Sequence, residues 1–319
     1  MAKSTTTTKA KTKTTKKPAA RTAAAKTTKS SVKAKTTKSA ASSKKTVAKK
    51  APTKVAEVKK TAVKRSVTVG KFNRGFVFAG VILAVQAVLS VVLMKADSAQ
   101  VFLGHLTKNE LASRAGTVLA PAAHPFYEFE IRWVLAVVLG VSAIFAVLRG
   151  TKFLAVERAG LKSRVQKFRW LDIAVTYALV FELVALLNGV QDLIAIKLGM
   201  IAIALGAYFA WMHERQNTVS DKAGKANLVA ASISFAVPVL AVIGTMWGTV
   251  VYGLVRSPWY AYAAAALLAL GLLAVLLNLK RSANVSEQYY AKLDSMYNVQ
   301  SLVVKVVLGV ALIVGLYAK

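Results

Sequence analysis

The last apolar stretch of the chain, residues 296–317, reads MYNVQSLVVKVVLGVALIVGLY and contains a single charged residue, Lys305. A helix of this length spans the roughly 30 Å of bilayer hydrocarbon. A lysine near the middle of such a helix costs about 2.5 kcal/mol or more, and it lies too deep to reach water by extending along the helix. That cost falls if the lysine pairs with an acid or loses its charge in a covalent imine. We therefore expect the rest of the chain to supply a partner for Lys305.

The composition divides the chain into two parts. Residues 1–71 contain 22 of the 44 Lys and Arg residues and one acid, Glu57, with almost no large apolar side chains. Such a segment buries too little apolar surface to fold, so we predict a disordered basic tail. The tail fits binding to anionic lipid or to nucleic acid, or a purely solvated role that holds the topology. The lack of cysteine excludes disulfides and thiol chemistry.

Residues 72–319 contain seven apolar runs that are long enough to cross a membrane. These runs lie near 75–94, 131–149, 169–188, 191–212, 228–251, 258–279 and 296–318. The sequence therefore predicts an all-α fold, a seven-transmembrane-helix bundle preceded by the basic tail. Pro238 predicts a kink in the fifth helix, and the polar segment 95–130 is long enough for a short hairpin.

The distribution of Lys and Arg predicts how the bundle is oriented. Basic residues are concentrated in the connections between spans two and three, four and five, and six and seven, on the same side as the tail. Short loops rich in Lys and Arg are typical of the cytoplasmic side. We therefore expect a multi-pass protein of the cell membrane with a cytoplasmic N-terminus and an extracellular C-terminus.

The partner of Lys305 is sought among the few acids at membrane depth. Asp172 and Glu182 lie in the third span, which runs in the same direction as the seventh. Helical side chains lean toward the N-terminus, so the Lys305 nitrogen is expected nearer the depth of Asp172. Arg169 and Thr176 lie about one turn from Asp172 on the same face, where they could hold the carboxylate ionised and donate a hydrogen bond to it. The alternative is an inert buried ion pair.

Ser301 lies about one turn before Lys305 and could bond either the lysine nitrogen or the acid. The lysine, the carboxylate and the nearby hydroxyl groups are the parts that a protonated Schiff base needs.

Seven helices with a lysine in the last resemble a retinal-binding rhodopsin, and the motifs resemble the heliorhodopsin family over residues 72–319. The motifs are Phe168-Arg169-Trp170 followed by an acid, Gly189 and Asp192 before the fourth span, Trp211 with Glu214, and Ser301-Leu302-x-x-Lys305. Ion-pumping families usually carry an acid at the position of Ser301. The inward N-terminus also resembles heliorhodopsins, which are inverted relative to other rhodopsins.

The resemblance implies a light-sensing photoreceptor, signalling or regulatory and not ion-pumping, that forms a homodimer in the bilayer. It implies all-trans retinal bound as a protonated Schiff base on Lys305, with Asp172 as counterion. Ser301, Thr176 and Arg169 would tune this pair. The small residues Gly206 and Ala210 would leave room for the polyene. The remaining expected pocket residues are Trp170, Phe235 and Pro238.

The chain departs from the family pattern near the expected Schiff base. The usual counterion is glutamate, where this chain has Asp172, and the tyrosine that usually follows is Ile173. Two histidines that the family often has near the Schiff base correspond to Leu83 and Ala146. The chain's own histidines are expected in loops or at a span end, which argues against a histidine proton acceptor: His105, His124 and His213.

Two other functions are compatible with the sequence. A light-driven proton or ion pump would use the string Arg169-x-x-Asp172-x-x-x-Thr176, with Glu182 as an internal proton group. A non-photochemical transporter or anchor would form no pigment and would not need Lys305. We find no nucleophile–base pair and no metal-ligand cluster in the sequence, so we do not expect an enzyme.

Overall fold

The computed structural model describes residues 75–108, 119–217, 221–253, 256–283 and 285–317. The membrane-crossing helices are α1 Gly75–Leu93, α2 Ile131–Gly150, α4 Lys167–Leu187, α5 Leu193–Asn217, α6 Asp221–Tyr252, α7 Trp259–Arg281 and α8 Glu287–Tyr317. A short helix, α3 Leu154–Ser163, follows α2, and two strands, β1 Ser98–Lys108 and β2 Leu119–Glu130, lie between α1 and α2. The predicted seven-helix bundle is confirmed, and the predicted basic tail, residues 1–71, lies outside the described residues.

The outer faces of the helices are apolar. On α1, for example, Val81, Val85, Val88 and Val92 recur every three or four residues and are more than half exposed. This spacing places them on one face of the helix. Seven helices that are long and apolar enough to cross a membrane, with large apolar side chains left outside, identify a multi-pass membrane protein in a lipid bilayer.

Helix α4 lies at the centre of the bundle. Two thirds of its membrane-crossing segment, 67%, is buried, compared with 22–39% for the other six helices. It packs against α2, α5 and α7. A polar residue on α4, such as Asp172, is therefore surrounded by protein and not by lipid.

Helices α4 and α5 are joined by a tight turn at Gly189. Gly189 has φ +80°, a left-handed conformation that residues with a Cβ rarely adopt. Asn188 donates from Nδ2 to the carbonyl oxygens of Val184 at 2.8 Å and Ala261 at 3.2 Å. Asp192 then accepts a hydrogen bond from the Ala195 amide at 2.8 Å, which satisfies a free donor in the first turn of α5.

We predict that Gly189→Ala lowers stability by about 1–2 kcal/mol, because alanine is strained at positive φ. Side-chain crowding is not the cause, since the nearest heavy atom to a Cβ at this position is 4.0 Å away. Thermal unfolding of the purified protein in detergent measures the effect. Gly140→Ala is the matched control, because a Cβ there meets nothing within 4 Å. Equal unfolding temperatures for the two variants would contradict the prediction.

The hairpin expected in segment 95–130 is present, with two antiparallel strands of 11 and 12 residues. Its first strand contacts the α4–α5 turn, where the Phe102 amide donates to the Gln191 carbonyl oxygen at 2.8 Å. His105 and His124, which were expected in loops, lie in the two strands, and their side chains are exposed. The hairpin therefore covers the end of the bundle where α4 turns into α5.

Helix α8 begins at Glu287, nine residues before the apolar stretch starts. The earlier start adds Tyr290 and Asp294 to the helix, and both are buried. Because Asp294, Asn298, Ser301 and Lys305 follow each other at spacings of four, three and four residues, they form one polar stripe along α8.

Candidate functional site

The amino group of Lys305 faces a carboxylate in the middle of the bundle. Lys305 is 3% exposed, and its Nζ lies 3.5 Å from Oδ1 of Asp172, which is 8% exposed. The centroid of the Tyr177 ring lies 5.9 Å from Nζ. A buried cation and a buried anion in contact offset each other's desolvation cost in part, so the two residues act as one polar group.

The arginine that reaches Asp172 is Arg149, not Arg169 as the sequence led us to expect. Nη1 of Arg149, near the end of α2, lies 3.7 Å from Oδ2 of Asp172. Arg169 is directed to other acids, because α8 and α5 bring Asp294 and Glu214 to its guanidinium. Sequence spacing gave the correct face of α4, but it could not show that a second helix supplies the nearer cation.

Arg149 is held in place by three helices. Its Nε and Nη2 donate to both carboxylate oxygens of Glu157 on α3, at 2.7 and 3.3 Å. Its Nη1 donates to Oδ1 of Asn298 on α8 at 2.9 Å, and the guanidinium lies 4.6 Å from the ring centroid of Phe76 on α1. This two-pronged contact with a carboxylate fixes the orientation of the guanidinium as well as its position.

A second group of charges is centred on Arg169. Its guanidinium pairs with Glu214. It also pairs with Asp294, at 2.6 Å, and donates a hydrogen bond to the Tyr290 hydroxyl at 3.0 Å. Trp170 donates from its indole nitrogen to Glu214 at 2.8 Å. The Tyr297 ring centroid lies 4.2 Å from the guanidinium carbon. Arg169 therefore ties the first turn of α4 to the end of α5 and the start of α8.

The two groups of charges are joined through Asn298, whose Nδ2 donates to Oδ2 of Asp294 at 3.2 Å. Polar contacts thus run without a break from Lys305 to the end of the bundle where α3 lies. We call this set the buried polar network; its charged members are Lys305, Asp172, Arg149, Glu157, Asp294, Arg169 and Glu214. Sequence analysis missed the roles of Arg149, Glu157 and Asp294, although the polar stripe on α8 was a signal for the last of these.

A cavity of about 200 Å³ lies beside Lys305, between α1, α2, α4 and α8. Polar groups line one side of it, including Asp172, Arg149, Asn298 and Ser301. Leu83 and Ala146, at the positions of the two histidines expected from the family, also line it. The cavity is therefore less polar in this chain than histidines at those positions would make it.

The other expected pocket residues lie apart from this cavity. Trp170 belongs to the group around Arg169. Gly206 of α5 packs against the Phe235 ring of α6, where a Cβ would lie only 2.7 Å from the ring. Ala210 and Pro238 are buried, and α6 continues through the proline. The structure thus brings Lys305, Asp172 and Ser301 together around the cavity, and it places the remaining residues at helix–helix contacts.

Thr176 and His213 differ from expectation. The Thr176 hydroxyl is buried and makes no hydrogen bond within the described part of the chain, although we expected it to donate to Asp172. His213 was expected at the surface, but it is 2% exposed and its Nδ1 lies 2.7 Å from the Gly224 carbonyl oxygen. The close packing of α5 and α6 encloses this ring. Glu182, the other acid of α4, pairs with Lys197 at 2.7 Å.

The residues around Lys305 fit retinal in their chemistry. A buried primary amine can condense with an aldehyde, and Asp172 can balance the positive charge of the product. The Tyr177 ring near Lys305 packs against Gly271 of α7, where a Cβ would lie 3.1 Å from it. Aromatic rings also pack on glycines of α5, Phe181 on Gly199 and Phe235 on Gly206. An apolar, aromatic interior next to a charged end suits a polyene aldehyde.

Seven membrane-crossing helices, with a buried lysine on the last that contacts a carboxylate on the third, define a rhodopsin-like membrane protein. The family model described as Heliorhodopsin matches residues 71–316, and the chain belongs to the heliorhodopsin family. The comparison with curated proteins finds no match. Membership of this family implies a retinal chromophore and a membrane protein of the photoreceptor type.

Proposed function

We propose that the protein is a light-sensing photoreceptor with a signalling or regulatory role, in which retinal is bound to Lys305 and Asp172 is the counterion. The observation that carries the proposal is the 3.5 Å contact between two buried groups, the Lys305 amine and the Asp172 carboxylate. A lysine at this depth is costly without a function or a partner. The family membership supports the same reading.

All-trans retinal, when bound, supplies a polyene that absorbs visible light and isomerises, joined to Lys305 through a protonated imine. Residues of the chain supply the attachment point and the balancing charge. Lys305 provides the nucleophilic nitrogen, and Asp172 balances the positive charge that this nitrogen carries. Ser301 offers a hydroxyl at the wall of the cavity beside the pair. Movement of the nitrogen relative to Asp172 would change the contact with Arg149 and so the buried polar network.

An ion pump remains the second candidate, because the buried polar network extends from Lys305 toward one membrane face. Ser301 argues against it, since it offers a neutral hydroxyl where a pump carries an acid. Glu182 also pairs with Lys197, which removes it from the candidates for a free internal proton group. We expect illuminated cell suspensions to show no light-induced pH change. A change that a protonophore abolishes would favour the pump.

The proposed orientation places the tail and helix α3 in the cytoplasm and the hairpin outside. It rests on the basic connections around α3, between α5 and α6, and between α7 and α8. The family resemblance further suggests a homodimer, and the tail's charge suggests contact with anionic lipid or nucleic acid. Protease digestion of sealed, oriented vesicles tests the orientation through the accessibility of the tail.

The role of Asp172 is tested with Asp172→Asn in the presence of all-trans retinal. We expect most of the visible band to be replaced by a near-ultraviolet band at neutral pH. Without the carboxylate, the Lys305 nitrogen loses the anion that it contacts while the Arg149 cation stays nearby, which disfavours the protonated imine. Glu182→Gln removes the other carboxylate of α4 and is expected to leave the band in place. An unchanged visible band in Asp172→Asn would exclude Asp172 as the counterion.

A further inference from the structure

The structure assigns a positioning role to Arg149: it is a second cation that shares the Asp172 carboxylate with Lys305, and Glu157 of α3 holds it there. Neither residue was expected at the site from sequence. The inference rests on the proposed function, because it concerns the counterion of a retinal-bound lysine. It adds a charged pair, Arg149 and Glu157, that controls the electrostatics of that counterion.

The two oxygens of Asp172 face different cations. Oδ1 lies 3.5 Å from Nζ of Lys305, and Oδ2 lies 3.7 Å from Nη1 of Arg149. Both cations are at most 3% exposed, so water screens neither contact well. The field of a carboxylate that is shared in this way is divided between the two cations.

Glu157 makes Arg149 a fixed charge and not a mobile one. Two of the three guanidinium nitrogens bind the Glu157 carboxylate, and the third binds Asn298. Glu157 is itself 1% exposed, so water would hardly replace Arg149 as its hydrogen-bond partner if Arg149 were removed. The Phe76 ring closes the remaining side of the guanidinium. Arg149 is thus directed at Asp172 by contacts that do not involve retinal.

The titratable groups near Arg149 and Asp172 come from three further helices, and α1 contributes the Phe76 ring. They are Glu157 on α3, Tyr177 on α4, and Asp294 and Lys305 on α8. Arg149 and Glu157 can each be neutralised singly while Lys305 and Asp172 themselves are kept. Removing one takes away a positive charge, and removing the other takes away a negative charge.

The experiment measures two colour transitions of the retinal-bound protein as a function of pH. The acid transition reports proton uptake by Asp172, and the alkaline transition reports proton loss from the retinal-bound Lys305 nitrogen. The variants are Arg149→Gln, Glu157→Gln and the double variant. Arg149→Lys keeps the charge. Arg132→Gln removes an arginine at the other end of α2, which pairs with Glu130 of β2 and is partly exposed.

In Arg149→Gln, both midpoints are expected to move to higher pH by roughly one pH unit, because loss of a nearby positive charge favours proton binding at both groups. In Glu157→Gln, both midpoints are expected to move to lower pH by roughly half a unit, since the carboxylate lies one residue further away. The double variant should lie between Arg149→Gln and the wild type, because the two shifts are of opposite sign and cancel in part. Shifts of opposite sign separate an electrostatic role from general damage to the fold.

Arg149→Lys is expected to keep its midpoints closer to the wild type than Arg149→Gln, and Arg132→Gln should match the wild type. Unchanged midpoints in both Arg149→Gln and Glu157→Gln, or shifts of the same sign, would overturn the inference. If Arg149→Gln does not fold, Glu157→Gln and Arg149→Lys still decide it. A wild type that forms no visible band overturns the proposed function instead, which is a separate outcome.

The protein without retinal gives an independent readout. Condensation with an aldehyde requires the neutral form of the Lys305 amine. The rate at which the pigment forms at a fixed pH is therefore expected to fall in Arg149→Gln, where the amine keeps its proton more readily, and to rise in Glu157→Gln. Equal rates in the two variants would contradict the assigned role.

Discussion

Lys305→Ala is expected to leave a folded protein that forms no visible band when all-trans retinal is added. The imine requires a primary amine inside the bundle, and alanine cannot supply one. Asp172 keeps Arg149 at 3.7 Å as a partner, so loss of the lysine does not leave the carboxylate without a cation. We therefore expect complete loss of the pigment with only moderate loss of stability. Absorption spectra of purified wild type and variant, recorded after addition of retinal, provide the measurement.

Lys197→Ala is the matched control for this prediction. Lys197 also lies in a membrane-crossing helix and also pairs with a carboxylate, at 2.7 Å, but its side chain is 44% exposed. It is expected to keep the visible band. A band that survives in Lys305→Ala and disappears in Lys197→Ala would move the retinal site to α5. A wild type with no band at all would leave Lys305 as half of a structural ion pair.

The sequence predicted the membrane helices well, because the bilayer fixes the length of a spanning segment. The apolar runs in this chain have that length, and all seven are helices in the structure. The residues at which the helices begin and end were less predictable. Helix α8 begins nine residues before its apolar stretch, since Tyr290 and Asp294 are buried by polar contacts and not by apolar ones. Hydropathy does not report burial of that kind.

The local contacts of Asp172 were only partly predictable for a similar reason. The spacing of Arg169, Asp172 and Thr176 places them near one face of α4, but it says nothing about the neighbouring helices. The contacts depend on which neighbouring helix meets that face. From sequence, Arg149 belongs with the basic residues of the connection between spans two and three, because it lies at the predicted end of span two. Arg149 is buried because α3 folds back and brings Glu157 into contact with it, and no periodic pattern in the sequence predicts that contact.

Arg169 belongs to the buried polar network, but its contacts differ from those that the sequence predicted. We expected it to tune the Lys305–Asp172 pair, and the structure instead joins it to Glu214, Asp294 and Tyr290. It therefore holds three helices together at one end of the bundle. From this arrangement we expect its replacement to affect stability far more than colour, whereas replacement of Arg149 should have a clear effect on colour.

Arg169→Met is accordingly expected to destabilise the protein by about 3–5 kcal/mol, because it leaves two buried carboxylates without their cation. In a domain of this size, that corresponds to a fall in unfolding temperature of roughly 10 °C. Thermal unfolding and the yield of monodisperse protein in detergent provide the measurement. Arg132→Met is the control, since Arg132 pairs with Glu130 at a partly exposed position, where an ion pair contributes about 0–1 kcal/mol.

The double variant Arg169→Met with Glu214→Gln tests whether the loss comes from an uncompensated charge. Neutralising Glu214 removes one of the two stranded carboxylates, so it should restore part of the stability that Arg169→Met loses. No restoration would mean that the arginine acts mainly through its packing on Trp170, Tyr290 and Tyr297. An unfolding temperature of Arg169→Met close to that of the wild type would contradict the structural role altogether. If Arg169→Met changes the visible band more than Arg149→Gln does, Arg169 acts at the counterion site after all, because a charge affects the chromophore more strongly the nearer it lies.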